Sequence, residues 1–443
     1  MTRIAVIGSG MAGFGAAHRL FNEGMMADLY EQKPYHGGHT ASFKFEGGFT
    51  FDEGPHISFT KNERIQKLFA ESVNQEYQIL SSYVNNYWKG YWIKHPVICN
   101  LYGLPSDLIV KVIKDFVEVQ NHKHGHLLTY EDWLLAAYGK TYADTFPMQY
   151  TIKYHTTTPA NLTTDWLGPR LYQASFEEVL QGALNPKTPD VHYITHFRYP
   201  TYNGFVSYLN RFLNETRLHL SHKLVRLDPR KRELQFENKN VVQFDNVISS
   251  IPLPELIKTI VDAPPEVVDA ANRLACSELV VVNLAVNRPN IIDAHWTYFY
   301  DQDIVFTRIS TPHMQSPHNV PAGAGSLQVE MYFSKKYKPM DRKPDEYIEP
   351  AIRDLKRVGL LTDDDKVLLA NTFHVPYANV IFDHERAEAV KIVHGYLEDI
   401  GIAWCGRYGE WAYIWTDEAF VSGENAAEKV LNRITLRVPS SPR

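Results

Sequence analysis

The most constraining stretch of this chain is its beginning, where the apolar run Ile4-Ala5-Val6-Ile7 passes into Gly8-Ser9-Gly10-Met11-Ala12-Gly13. With the helical pattern that follows and a second apolar run ending at Glu31, this makes one strand–turn–helix–strand unit of about 30 residues. The three glycines then serve different ends, Gly8 a tight turn, Gly10 the close approach of a pyrophosphate, and Gly13 the packing of helix on strand. The helix N-terminus adds free N–H groups and the positive end of its dipole. Glu31 closes the second strand 18 residues past Gly13, where its carboxylate can accept from a ribose hydroxyl. The unit predicts dinucleotide binding and does not by itself separate NAD from FAD.

With 443 residues, the chain exceeds what one hydrophobic core ordinarily organises, so two or three packed units are expected. Residues 62–170 read as largely helical, with amphipathic stretches such as SDLIVKVIKDFVEV and YEDWLLAAYGKTYADTF. NGFVSYLNRFL at 203–213 reads as a helix, and short alternating runs after it as a β-meander returning to a strand. Runs between 276 and 385 alternate apolar and polar residues, as suits a second, antiparallel sheet with one solvated or ligand-facing side. A last helix is placed near Ser422-Gly423, with Gly423, Ala426 and Ala427 available for close packing. The predicted fold is α/β: a discontinuous Rossmann-type dinucleotide domain at 1–60, 203–270 and 395–443, a largely helical substrate or cap domain at 61–202, and an antiparallel-sheet substrate domain at 271–394.

A net charge of −6 argues against nucleic-acid or anionic-membrane partners, which need clustered Lys and Arg. Three widely spaced cysteines, Cys99, Cys276 and Cys405, indicate neither a disulfide framework nor a zinc site. No export segment or run of about 18 apolar residues is seen, and the expectation is a cytoplasmic protein without a membrane span. The histidine cluster His122-Lys123-His124-Gly125-His126 lacks a carboxylate or thiolate at ligand spacing and reads as a solvated loop. YVNNYWKGYWIKHP at 83–96 reads as packing aromatics, with a sugar-stacking wall as the alternative. GxSxG, HExxH and CxxC patterns do not occur, so hydrolase, zinc-peptidase and thiol-redox chemistry gain no support.

Gly37-Gly38-His39-Thr40 and GGFTFDEGPHI at 47–57 resemble the second glycine pair and flavin-approach loop of FAD enzymes of the amine oxidase and protoporphyrinogen oxidase type. EGPHISFTKNERIQKLF and the C-terminal GRYGEWAYIWTDEAFVSGENAA are similar, within that superfamily, to UDP-galactopyranose mutases. The resemblance implies FAD, active when reduced and acting through N5 on an anomeric carbon, in a pyranose–furanose interconversion of a nucleotide-diphosphate sugar with no net redox change. NAD(P)H is a candidate external reductant.

The same resemblance supplies site candidates. Arg198 in FRYPTYNGF and Arg308 in FTRIS fall where the mutases place arginines that grip the substrate diphosphate, a role suited to fixed guanidinium donors. His56 matches the histidine of the flavin-facing loop and, with the two arginines, completes the catalytic set. Tyr413 matches the tyrosine that bonds the diphosphate, and Tyr377 and Asn379 lie near where the family has another substrate tyrosine. Arg407, a backbone contact at Val225, and Asp417 join Gly8, Gly10, Gly13, Glu31, Gly37 and Gly38 as cofactor candidates. The chain departs from the family at Phe59, where members often carry a second histidine, at Asn379, where they carry a tyrosine, and after Tyr413, where the aspartate is shifted by a residue, to Asp417. Two other readings stand beside the mutase: an FAD oxidoreductase of the same superfamily acting on a small organic substrate, and a flavin-binding protein without catalysis.

Overall fold

The computed structural model describes residues 2–121, 125–168, 172–191 and 193–437; His122, Lys123 and His124 of the histidine cluster lie outside them. Strand Ile4–Ile7 is buried at every position, as a continuous apolar run in a parallel sheet must be. It pairs in parallel with Asp28–Tyr30 on one side and Asn246–Ser249 on the other. Arg217–His219 and the short strand Ala403–Trp404 complete five strands at the two edges. Segments far apart in sequence thus build one sheet, with helix Met11–Asn22 following its central strand.

The meander after residue 220 is present as Leu224–Asp228, Glu233–Phe236 and Val241–Gln243, a three-stranded antiparallel sheet. The helix expected at 203–213 is present as a 3-10 helix, Phe205–Glu215. Buried Asp52 takes part in fixing its start, accepting from Phe205 N at 3.0 Å and Tyr199 Oη at 2.7 Å. The YEDWLLAAYGKTYADTF stretch is two helices, Tyr130–Tyr138 and Lys140–Thr145, separated by Gly139 at φ 78°.

The second large sheet has seven strands in the order 367–375, 278–286, 325–333, 308–310, 296–299, 84–88, 91–94. It differs from expectation in two ways. First, the aromatic segment at 84–94 is a hairpin belonging to this sheet, joined to Trp296–Phe299 by parallel pairing; the stretch 61–202 therefore contributes strands as well as helices, and the sheet is mixed. Second, Glu278–Val286 and Gly325–Phe333 are buried along their whole length. One face packs on helix Ile348–Arg357 through residues such as Val282, Val329 and Leu355. The other meets the hairpin Ser42–Phe45/Phe49–Asp52 through Phe51 and Ala285 and, toward the opposite end, a large cavity lined by Leu279 and Tyr332.

The last helix spans Thr416–Arg437, six residues earlier than its small-residue pattern suggested, because Asp417 and Glu418 supply the acidic first turn that the helix dipole favours. No helix among the described residues is long and apolar enough to cross a membrane.

Candidate active site

One cavity of about 730 Å³ runs from the first glycine turn to the large sheet. At its first end, helix Met11–Asn22 begins at Gly10 with no side-chain cap and no acidic residue in its first turn. Its leading N–H groups therefore face the cavity uncompensated by side chains, as an anion site requires. Gly10 and Gly38 stand backbone to backbone: a Cβ on Gly38 would lie 3.1 Å from Gly10 Cα. A Cβ on Gly13 would lie 1.9 Å from Gly8 O, which confirms the packing role of the third glycine. Glu31 is buried and accepts from Ser9 N at 3.0 Å, Ser9 Oγ at 2.9 Å and Lys33 N at 2.9 Å. A carboxylate offers about four lone-pair sites, so a ribose hydroxyl still finds an acceptor there. These residues fit the pyrophosphate and ribose of a dinucleotide such as FAD.

The other end is built by strand Arg308–Ser310, helix Pro147–Tyr154 and the turn through Arg407 and Tyr413. Arg308 Nε donates to Glu330 Oε1 at 2.8 Å, and Tyr332 Oη donates to Glu330 Oε2. Burial works against the Arg308 charge, yet the Glu330 carboxylate and the surrounding tyrosines outweigh it and hold the guanidinium pKa well above its ordinary value. Arg407 is held differently. Its Nε and Nη2 donate to Ile414 O at 3.0 and 2.7 Å, and its Nη1 to Ala378 O and Asn379 Oδ1, both at 3.3 Å. Carbonyl oxygens fix its orientation without cancelling its charge. Its guanidinium lies 5.1 Å from the Tyr413 ring centroid, and Tyr413 Oη is 3.2 Å from Tyr154 Oη.

His56 bonds Gly54 O through Nδ1 at 2.6 Å. Burial, reinforced by the positive charges of His39, Arg407 and Arg308 and only partly offset by the Gly54 bond, pushes its pKa down to about 3. The ring is neutral at physiological pH and lies within the field of both arginines. A neutral imidazole whose Nδ1–H points at a carbonyl leaves Nε2 free to accept.

Of the predicted residues, Gly8, Gly10, Glu31, Gly37, Gly38, His56, Arg308, Tyr377, Asn379, Arg407 and Tyr413 share the lining of this cavity. Tyr377 Oη is engaged with Glu255 at 2.6 Å, and Asn379 acts through Arg407. Gly13, which packs against Gly8, and Arg198, Val225 and Asp417 are not brought to the lining. Phe197 and Tyr199 are buried inward, so the alternation of a strand turns Arg198 the other way, over the Tyr77 ring at 5.2 Å; Ser58 and Arg198 pair through their backbones. Val225 is exposed at a register shift in its strand. Asp417 borders a shallow depression with Thr60 and Asn62. Sequence reasoning missed Glu330, Tyr332, Tyr150 and Tyr154. A lone charge inside the apolar run GSLQVEMYF, and tyrosines four apart on one helix, were the signals for them.

Comparison with known proteins places this geometry in context. Residues 6–72 match the model of an NAD(P)-binding Rossmann-like domain, and residues 155–431 that of flavin containing amine oxidoreductase. A reduced UDP-galactopyranose mutase superposes with a TM-score of 0.91 at 24% identity, covering 98% of this chain and 96% of the other. A putative protoporphyrinogen oxidase from Exiguobacterium sp. 255-15 superposes with a TM-score of 0.76 at 14% identity, covering 98% and 99%. A stretch of 57 residues is 39% identical to zeta-carotene desaturase of Zea mays, covering 13% of this chain and 10% of that protein. The fold is that of the mutase, and because the oxidoreductase model spans more than half of its length, the chain belongs to the flavin-containing amine oxidoreductase family.

Proposed function

We propose that this flavin-dependent enzyme is a nucleotide-sugar mutase that interconverts pyranose and furanose forms. Residues 1–60, 203–270 and 395–443 would serve the cofactor, and 61–202 with 271–394 the substrate. FAD, when bound and reduced, supplies a nucleophilic nitrogen to the anomeric carbon. The chain's own residues do the rest. Arg308 and Arg407 hold the diphosphate before, during and after it separates from the sugar, and fixed guanidinium donors stabilise that charge without reorganising. The Tyr154–Tyr413 hydroxyl pair donates to the same anion. Neutral His56 accepts a hydrogen bond beside the reacting carbon and adds no charge of its own. NAD(P)H is the reductant we propose, in a cytoplasmic setting that supplies furanose units for polysaccharide synthesis.

The observation that carries this reading is the half-buried Arg407 guanidinium, oriented by carbonyl oxygens and left with its charge uncancelled in the cavity that Arg308 also lines. A cation held inside a cavity without a carboxylate calls for an anionic ligand. A second reading, an oxidoreductase acting on a small organic substrate, draws on the family and on the apolar side of the cavity near Ile98, Leu134 and Tyr142. The two separate in an anaerobic product assay by NMR over a panel of nucleotide sugars, with dithionite-reduced and oxidised enzyme. Isomer formation with reduced enzyme alone is the expected result. No isomer from any sugar, with the flavin turning over on another compound, would move the case to the second reading.

A further inference from the structure

Next to the anion-binding residues the cavity wall turns aromatic. Phe59 and Trp415 meet edge to face with ring centroids 5.0 Å apart, and Tyr193 packs against both, at 6.2 and 6.4 Å. All three line the cavity. Trp415 adjoins Tyr413, with 5.5 Å between their centroids. Backbone bonds hold the wall in place. Trp415 N donates to Glu418 Oε2 at 2.7 Å at the start of the last helix. Phe59 follows Ser58, whose N–H and carbonyl both bond Arg198. Ile57 and Ile194 line the cavity nearby and pack in the same apolar cluster as Phe59.

We propose, resting on the mutase reading, that this wall selects a sugar whose exocyclic carbon is a methyl group, a 6-deoxyhexose, over the corresponding hexose. In this arrangement the diphosphate anchors C1 at Arg308, Arg407 and Tyr413, and the edge of the ring that carries C5 and its substituent would lie against Phe59 and Trp415, the latter adjoining Tyr413. A methyl group gains burial against these rings. A hydroxymethyl group there loses water from its hydroxyl and meets ring carbons in exchange.

Isothermal titration of the FAD-loaded protein tests the selection. UDP, dTDP, GDP and CDP are ranked first, and the tightest is then used as carrier for galactose against 6-deoxygalactose and for glucose against 6-deoxyglucose. The 6-deoxy sugar should bind about tenfold more tightly within the preferred pair, the factor that about 1.4 kcal/mol represents. The double variant Phe59→Asn/Trp415→Gln should lose or reverse that ratio, which compares two sugars on one nucleotide and so does not depend on any change in nucleotide affinity, with flavin absorbance and melting temperature reporting that it folds. Equal or weaker binding of both 6-deoxy sugars, or a ratio that survives in the variant, would overturn the proposal and leave the diphosphate site standing. Failure of every free nucleotide to bind would overturn the mutase reading, and this proposal with it.

Discussion

Arg308 and Arg407 carry the same charge and reach the same cavity, but replacing them should have different consequences. Arg308 is paired with fully buried Glu330, so Arg308→Ala leaves that carboxylate with only the Tyr332 hydroxyl, a change worth about 3–5 kcal/mol of stability. Arg308→Lys keeps a charge near Glu330 while losing the planar fork. It should therefore retain flavin and fold, and lower nucleotide affinity about tenfold, as read by titration with the free nucleoside diphosphate; unchanged affinity would remove Arg308 from the binding site. His56 makes a prediction of opposite character. Its folded pKa of about 3 lies below the ordinary 6.5, so the unfolded chain binds more protons between those values and stability falls as pH drops through that window. Asp52 leans the other way: burial, the largest influence, lifts its pKa from 3.8 to about 6, so its contribution is present below 3.8 and lost as pH rises through 6. The two slopes oppose each other across their shared range. His56→Gln should accordingly remove the contribution that rises with pH and leave that of Asp52, so that a urea-stability profile between about pH 4.5 and 6 turns toward falling stability as pH rises; an unchanged slope would show that the imidazole is not held neutral. Arg308 and His56 were legible because each sits within a contiguous motif. Arg198 was not, since its orientation depends on which neighbours of a short strand are drawn into the core.

Helices Met11–Asn22 and Thr416–Arg437 cross with their backbones in near contact. A Cβ on Gly423 would lie 1.9 Å from Ala12 O, and one on Gly15 2.0 Å from Phe420 O. The small residues of both helices are thus a condition of the crossing, and Gly423→Ala must push the helices apart. We expect a loss of about 1–3 kcal/mol in urea denaturation, together with weaker FAD retention on gel filtration, because the displaced helix carries the phosphate-facing N-terminus. Stability and flavin content equal to the wild type's would mean that the helices separate without disturbing the cradle. At this scale the first βαβ unit and the meander could be read from periodicity and turn residues. The hairpin at 84–94 could not be assigned to its sheet, because its partner strand at 296–299 lies about two hundred residues away and local pattern carries no record of such pairing. The start of the 3-10 helix 205–215 is likewise tied to Asp52, contributed by a distant hairpin.

Across the whole molecule, a single cavity touches the five-stranded sheet's glycine turn, the helical segment and the seven-stranded sheet. A cofactor lying along it would bind the folded chain alone and stabilise it by mass action, about 2.7 kcal/mol at a hundredfold excess over Kd. Stripping the flavin should lower the melting temperature, and restoring FAD should raise it in a concentration-dependent way that adenosine alone does not reproduce. An equal shift with adenosine would confine the cofactor's grip to the nucleotide end. The overall class and the cofactor end could be read from sequence because they rest on local glycine geometry; the substrate end could be read only in part, since Tyr150, Tyr154 and Tyr332 reach it from a helix and a strand far from the motifs that hold Arg308 and Tyr413. The close crossing of the first helix with the last also bears on how the enzyme comes into being. Residues 8–13 carry the dinucleotide cradle, but the strand before it lacks its second neighbour until Asn246–Ser249 has been made, and the helix after it lacks a support until Gly423 has. Flavin capture therefore waits on segments synthesised hundreds of residues after the cradle, and a nascent chain stalled between them holds a cradle that cannot yet close.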